Sequence, residues 1–413
     1  MNSSKLIYVY ESFTSNDSIL MGNLYVDVLK GKEIFSFEYN QDWLKNNKKQ
    51  IYPNLYLYKG RQFFHDNNTI GIFSDSAPDR WGRTLMRERE ARLAEKENRE
   101  QRTLFLSDYL LGVYDETRMG ALRFKLDKEG EFLSNDKNDS TPPWTMLRTL
   151  EHMAYGISGD DQVPDDWIEQ LLKPGSSLGG ARPKANVMDQ NGNLWIAKFP
   201  AKNDDIDVGA WEMVASELAR LCELNMPETK IEEFSKNGHT FLTKRFDRKG
   251  EQRIYFASAM SLLGKNDGEE ASYLELVDYI KTQGVNVKGN LLELWKRIVF
   301  NMAIRNTDDH LRNHGFILNS KGWELSPLYD VNPIPYGNYL ALNIDYNSGV
   351  ITKDKVLSVC EYFDLELEEA KKMLKNICKT VNENWERIAV SFGLSRDNIN
   401  NMRPAFAFSK ENA

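Results

Sequence analysis

The chain has 413 residues, of which 41% are hydrophobic and 11% aromatic, enough for two or three packed domains and too much for wholesale disorder. A formal charge of −8 excludes a chain that coats nucleic acid by bulk electrostatics, while leaving room for a local basic patch. No apolar run approaches the roughly 18–20 residues of a membrane span. The run Leu6–Tyr10 is too short for a signal h-region, and Cys222, Cys360 and Cys378 lack a CxxC spacing. The expectation is a soluble cytoplasmic protein with no structural disulfide and no membrane partner.

Residues 1–60 alternate apolar and polar in short runs, Leu6–Tyr10, Ile19–Val28, Ile34–Tyr39 and Leu55–Tyr58, separated by turn chemistry at Ser15–Asp17, Lys30–Lys32 and Pro53–Asn54. This predicts a small, mostly antiparallel β unit. Phe73–Arg83 then leads into a helix over Thr84–Lys96, with Pro78 near its start. Arg80, Arg83, Arg87 and Arg89 make that segment basic. Its Glu/Arg spacing at i,i+4 fits an exposed, salt-bridged face, and the sharper reading is a contact surface for a partner or nucleic acid. A helix over Leu104–Tyr114 and a strand over Ala121–Lys125 follow. Lys128–Pro143 is polar and reads as an exposed connection, which places a domain boundary near Thr141–Thr145.

After a helix over Pro164–Leu172 comes the Gly/Ser stretch Ser176-Ser-Leu-Gly-Gly-Ala-Arg-Pro-Lys184. It runs into a hairpin whose Asp189–Asn193 turn contains Asn-Gly and whose second strand carries Lys198. Trp211–Leu224 is an amphipathic helix containing Glu212, and Phe241–Arg248 is a strand that turns polar at its end. From Ser272 the pattern is predominantly helical except for a hairpin over Phe316–Asp330. Leu291, Leu294, Trp295, Ile298, Val299 and Met302 mark one helix by their spacing. Its end meets Asn306-Thr-Asp-Asp-His-Leu-Arg-Asn-His-Gly315, a loop too polar to be built for packing alone, because each buried polar group needs a partner.

These parts can be assembled into a phosphotransferase. Such an enzyme needs a glycine-containing loop that lets backbone approach phosphates, a strand Lys, a carboxylate for the acceptor proton, and an amide plus a second carboxylate for Mg²⁺. The Gly loop fits neither a P-loop nor GxGxxG and is weak alone, as is Lys198. The stronger signal is Asp308 with Asn313, in the D-x-x-x-x-N spacing of a kinase catalytic loop, followed by Asp330 at the end of a short hairpin. Asp308 is then the base and Asn313 and Asp330 the metal ligands, while Asp309 caps the loop or pairs with Arg312. His310 and His314 stand at i,i+4 but lack a third ligand at zinc spacing, and Gly315 breaks any helix there. His310 is expected to orient the loop through a hydrogen bond.

In order along the chain, Ser176–Lys184, Ala197–Pro200, Lys244–Arg248, Asn306–Gly315 and Ser326–Pro333, with Asp75–Arg83 upstream, resemble the HipA family of Ser/Thr kinases, toxins of type II toxin–antitoxin systems. The resemblance implies an α+β fold, two-lobed and protein-kinase-like. In it, residues 1–145 form an N-terminal subdomain, 146–250 the ATP-binding part and 251–413 a helical catalytic lobe. It implies that Ser177, Gly179, Gly180, Ala181, Arg182 and Lys184 cover the ATP phosphates, which Lys198 contacts. Lys244, Arg245, Phe246 and Asp247 would form the hinge at the adenine, with His310, Asn313, Tyr329 and Asp330 completing the nucleotide site. Asp308 would be the base, Asn313 and Asp330 would hold Mg²⁺, and Glu212 would pair with Lys198. Ser177, beside Ser176, aligns with the loop serine that family members autophosphorylate. A phosphate there, carrying about −1.5 to −2 charge, would expel the loop and switch the kinase off. The implied partners are a dimeric helix-turn-helix antitoxin of the HipB type, operator DNA reached mainly through that antitoxin, and a protein substrate of the translation machinery such as an aminoacyl-tRNA synthetase. A corepressor subunit with an idle kinase site, or a small-molecule phosphotransferase on the same fold, are the alternative readings.

Overall fold

The structure is a computed structural model that describes residues 4–13, 17–47, 50–53, 55–64, 70–134, 141–159, 163–172 and 180–413. In chain order it opens with β1 (Ser4–Glu11), β2 (Ile19–Leu29), β3 (Lys32–Tyr39), α1 (Gln41–Asn46) and β4 (Gln62–Phe63). Then come α2 (Arg80–Lys96), α3 (Leu106–Leu111), β5 (Leu122–Lys125), α4 (Leu147–Ser158) and α5 (Asp165–Leu172). The middle of the chain supplies β6 (Lys184–Met188), β7 (Leu194–Lys198), α6 (Val208–Leu221), β8 (Thr229–Ser235), β9 (Gly238–Lys244), β10 (Arg248–Lys249), β11 (Gln252–Arg253), β12 (Tyr255–Ser258) and α7 (Ala259–Leu262). The last part holds α8 (Tyr273–Gln283), α9 (Val287–Ala303), β13 (Gly315–Leu318), β14 (Trp323–Leu325), α10 (Lys353–Leu357), α11 (Leu367–Ser391), α12 (Arg396–Met402) and α13 (Ala407–Asn412). Two compact units result: 1–202 with 245–266, and 203–244 with 267–413. Among the described residues no helix is long and apolar enough to cross a membrane.

The first unit is built on a five-stranded sheet in the order β4-β3-β2-β1-β5, with each neighbouring pair antiparallel. Alternation puts Ile7 and Val9 of β1, Leu24 and Val26 of β2, and Phe35 and Phe37 of β3 into its core, with Phe73 and Phe124 packed beside them. The β2–β3 turn falls at Lys30-Gly31, both at positive φ (50° and 75°), the backbone that a tight hairpin of the correct twist requires. Leu55–Tyr58 does not become the fourth strand. The Gln62 amide takes both backbone groups of Tyr56, at 2.8 and 2.7 Å, so β4 forms at Gln62–Phe63 instead. α2 starts at Arg80 because Asp79 caps it, accepting from the Gly82 N–H at 2.7 Å. The Asp189 carboxylate closes the β6–β7 hairpin, accepting from the backbone of Asn191 and Asn193 and from the Trp195 indole. Thr141–Thr145 is not a free connection: Met188 N–H donates to Pro142 O at 2.9 Å, which ties the segment to β6.

The second unit contains the antiparallel β8–β9 and β13–β14 hairpins with α6 and the C-terminal helices. On α11 the residues Ala370, Leu374, Ile377, Cys378, Val381, Trp385 and Ile388 are buried at helical spacing. Trp385 stacks on Phe406 with ring centroids 4.2 Å apart. α9 is the central helix of this unit, and the six apolar positions that its periodicity marked are all fully buried. Cys222, Cys360 and Cys378 are buried free thiols.

Candidate active site

The polar loop is set by the way α9 ends. Asn306 N–H returns to Asn301 O at 2.8 Å and Arg305 N–H to Met302 O at 3.2 Å, a Schellman closure with Arg305 at φ 50° where glycine would be ordinary. The chain reverses there, and the loop residues divide into an outward and an inward set. Asp308 points out, its side chain 73% exposed. Asn313, on a short 3-10 turn, is buried and donates from Nδ2 to the Asp308 carbonyl at 2.8 Å, which leaves its Oδ1 as the acceptor end. Tyr329 donates its hydroxyl to Arg312 O at 2.7 Å and so fastens the 329–330 segment beside the same turn. Asp330 itself sits at φ 58°, an uncommon backbone for a residue with a Cβ.

The inward set is Asn306, Asp309 and His314, each nearly or fully buried. Asn306 Nδ2 donates to Asn301 Oδ1 at 3.1 Å, and Asn301 Nδ2 donates to the Tyr273 hydroxyl at 3.0 Å. That hydroxyl donates in turn to Asp309 Oδ2, while Ala341 N–H and Leu342 N–H reach Asp309 Oδ1 at 2.7 and 3.4 Å. Burial pushes the Asp309 carboxyl up to about 7 against the opposing pull of these donors. Burial, then the nearby Arg297 charge, pushes the His314 imidazole down to about 3, so it is a neutral packing group, edge-on to Tyr273 with centroids 5.3 Å apart. Asp309 therefore has the structural place expected of it, but not with Arg312, which pairs with Asp267 at 2.6 Å. His310 Nε2 stands 3.9 Å from Asp308 Oδ1, too far for a hydrogen bond, and its orienting contribution is through its carbonyl, which accepts from Asn313 N–H at 2.8 Å.

The other expected site residues lie in the first unit, except Glu212 and Lys244. Ser176, Ser177 and Gly179 fall outside the described residues. Gly180 has φ 96°, and its carbonyl accepts from Trp81 N–H at 3.3 Å. Ala181 and Arg182 follow in the turn into β6. Lys184 and Lys198 are paired directly across the β6–β7 ladder and are both buried. Like charges so placed repel. The Lys184 ammonium is met by Asp79 at 3.0 Å, the same carboxylate that caps α2. Lys244 lies at the end of β9, 3.7 Å from Glu228. The side chains of Arg245 and Asp247 are turned inward: Arg245 binds Asp247, Asn186 Oδ1 at 2.8 Å and Thr117 O at 2.6 Å, while Asp247 also accepts from Arg248 and Gly120 N–H. Any contact of this segment with a ligand is thus left to its backbone, to Phe246 and to Lys244. Glu212 is buried on α6.

Tyr273 and Asn301 are the functional candidates that sequence reasoning passed over. The available signal was a tyrosine at the capping-box start of α8 and an asparagine within the apolar face of α9. Neither carries a motif.

A family profile described as the HipA-like C-terminal domain matches residues 176–385, half of the chain. The chain belongs to this family. A chain of the Shewanella oneidensis MR-1 toxin–antitoxin complex of HipA, HipB and operator DNA superposes with a TM-score of 0.68 at 16% identity, covering 98% of this chain and 96% of that one. That likeness is one of fold, and it establishes the α+β, kinase-like architecture expected from the sequence. A Sinorhizobium fredii protein named as a kinase, Y4dM, is 25% identical over 300 residues, 62% of this chain and 70% of that protein. A Haemophilus influenzae protein also named as a kinase is 25% identical over 195 residues, 41% of this chain and 56% of that relative's length.

Proposed function

We propose that this chain is an ATP- and Mg²⁺-dependent serine/threonine protein kinase and the toxin of a HipA-type toxin–antitoxin module. The observation that carries the reading is the split of two adjacent carboxylates. Asp308 is presented to solvent, with Asn313 fixed to its carbonyl, while Asp309 is buried as an anchor. A loop built only for packing has no use for a solvent-facing carboxylate held by so much buried polar structure. In transfer, Asp308 accepts the proton of the acceptor hydroxyl as its oxygen bonds to the γ-phosphorus and the bond to the β–γ bridging oxygen breaks, releasing ADP. Asn313 Oδ1 and the Asp330 carboxylate suit a hard cation, which takes few protein oxygens and completes its shell from phosphates and water. When bound, Mg²⁺ would neutralise charge developing on the phosphates. The reading gives Lys198 and the stretch from Gly179 to Lys184 the role of phosphate binding, and Glu212 that of the lysine's partner. The names of the two relatives support kinase activity, and the HipA–HipB–DNA complex supports a HipB-type antitoxin as partner, which we take to be a helix-turn-helix dimer that carries the contacts to operator DNA. Phosphorylation at Ser177 is the proposed off-switch, and the division at about residues 145 and 250 is the proposed functional layout.

The test is incubation with labelled ATP, Mg²⁺ and a cell lysate, followed by identification of labelled polypeptides. Label should pass to a protein with wild type and not with Asp308→Asn of unchanged thermal stability. Transfer retained by that variant removes Asp308 as base, and label on a small molecule only removes the protein-kinase reading.

A further inference from the structure

The hydrogen bonds behind the loop all point one way. Asn306 donates to Asn301, Asn301 to Tyr273, and Tyr273 to Asp309, which takes two backbone N–H groups on its other oxygen. Asp309 is the acceptor in all three of its bonds, which makes it the terminus of the chain, and each bond polarises the next. The chain begins at the first residue of the loop and ends at the residue after Asp308. Its middle members belong to α9 and α8, so the loop is bonded to two helices rather than to itself. Tyr273 is the junction: its hydroxyl serves the start and middle of the loop, and its ring packs on His314 at the loop's end. Burial raises the Tyr273 hydroxyl well above its ordinary range, which keeps it a donor.

We propose that Tyr273 is the positioning residue of the catalytic loop, acting through Asp309 to hold Asp308 in its outward, proton-accepting place. The inference rests on the kinase reading and adds to it a residue outside the loop that touches none of the reacting atoms. Phenylalanine at 273 would keep the ring against His314 and remove the hydroxyl alone. Asp309 would then lose the donor on Oδ2 and Asn301 Nδ2 its acceptor, and the loop would be free to shift. A displacement of about 1 Å at a catalytic group costs up to roughly 100-fold in rate.

The experiment measures kcat and KM for ATP, and backbone hydrogen–deuterium exchange across 306–315, in wild type, Tyr273→Phe, Asp309→Asn and the double variant. Tyr279→Phe, which removes a hydroxyl from the same helix where it packs on Phe316, is the comparison. Tyr273→Phe should lower kcat by about 10- to 100-fold with KM for ATP within about twofold, raise exchange in 306–315, and make Asp309→Asn add little on top, as residues acting as one unit do. Tyr279→Phe should match wild type in both readouts. Wild-type kcat and exchange in Tyr273→Phe would overturn the proposal, as would equal losses in Tyr279→Phe or additive losses in the double variant. If Tyr273→Phe does not fold, Asp309→Asn decides by the same two readouts. If wild type itself transfers no phosphate, the kinase reading has failed, and exchange alone then decides: protection of 306–315 lost in Tyr273→Phe supports Tyr273 as the anchor of the loop, and unchanged protection overturns it.

Discussion

Asp247→Ala is expected to be among the most destabilising single changes in the first unit. The Asp247 carboxylate is fully buried and accepts from Arg245 Nε and Nη2 at 2.9 and 2.7 Å, from Arg248 Nη1 at 2.5 Å and from Gly120 N–H at 2.8 Å. Burial alone would raise this carboxyl, but Arg245 and Arg248 outweigh it and hold it well below the usual carboxylate range. Truncation strands two largely buried guanidinium groups on one another and leaves the Gly120 N–H without its acceptor. Breaking a buried pair costs about 3–5 kcal/mol, and the backbone donor places the expected loss near the top of that range, about 4–5 kcal/mol. At about 2–4 °C per kcal/mol for a domain of this size, the first unit should melt about 8–20 °C lower. The sign of the pH dependence follows from the lowered pKa. The stabilisation is present above the unfolded carboxyl value of about 3.9 and is lost as pH falls below it, so wild type and variant should converge in acid. Urea denaturation at neutral pH and again near pH 3 measures both. A loss under about 1 kcal/mol at neutral pH, the size of an exposed pair, would refute the claim that Asp247 organises this cluster.

Lys198→Ala and Asp330→Asn should each weaken Mg·ATP binding by about 1.5–3 kcal/mol, roughly 10- to 100-fold in Kd by calorimetry, and unchanged affinity would remove the residue from the nucleotide site. Phosphopeptide mapping after incubation with Mg·ATP should place phosphate on Ser177 in wild type and nowhere in Asp308→Asn; a site elsewhere retires the proposed off-switch. Asp309, with its pKa raised by burial to about 7, stabilises the fold most below the unfolded value of about 3.9 and loses that contribution as pH rises towards 7. Asp309→Asn should therefore flatten the fall in thermal stability across that window, and an unaltered profile would show that another group produces it.

How much of this was legible depended on whether a residue's partner lay nearby in sequence. The α9 stripe and the Asn-Gly hairpin of β6–β7 are local patterns, and both elements formed where the periodicity and turn chemistry put them. Asp308 and Asn313 could be paired from the sequence because only four residues separate them, and the structure joins them through the Asn313 side chain and the Asp308 carbonyl. The basic stretch on α2 formed local bonds, with Arg87 on Thr84 and Arg92 on Glu88, as its spacing suggested, but Arg92 also reaches Asp165. Leu55–Tyr58 misled because apolar letters were read without their competitor: one glutamine side chain supplied the hydrogen bonds that a neighbouring strand would have. At Lys244–Asp247, read as a hinge at the adenine, the inward turn of Arg245 was not legible, because beyond Asp247 and Asn186 its acceptors lie more than a hundred residues upstream at Thr117 and Arg118.

The same distinction explains why an over-polar loop can be both stable and displayed. Ending α9 with Arg305 rather than glycine in the left-handed region carries a steric cost of about 1–2 kcal/mol. The Asn306–Asn301 side-chain bond, worth about 0.5–1.5 kcal/mol, offsets much of it and begins the chain that leads to Asp309. Asn306 and Asp309 both face inward, and the two residues between them form a turn, which leaves Asp308 to face out. Exposure of the one carboxylate is thus a consequence of the burial of the other. The loop's polarity is therefore not surplus: the inward half makes the fold specific, and the outward half is left free for chemistry.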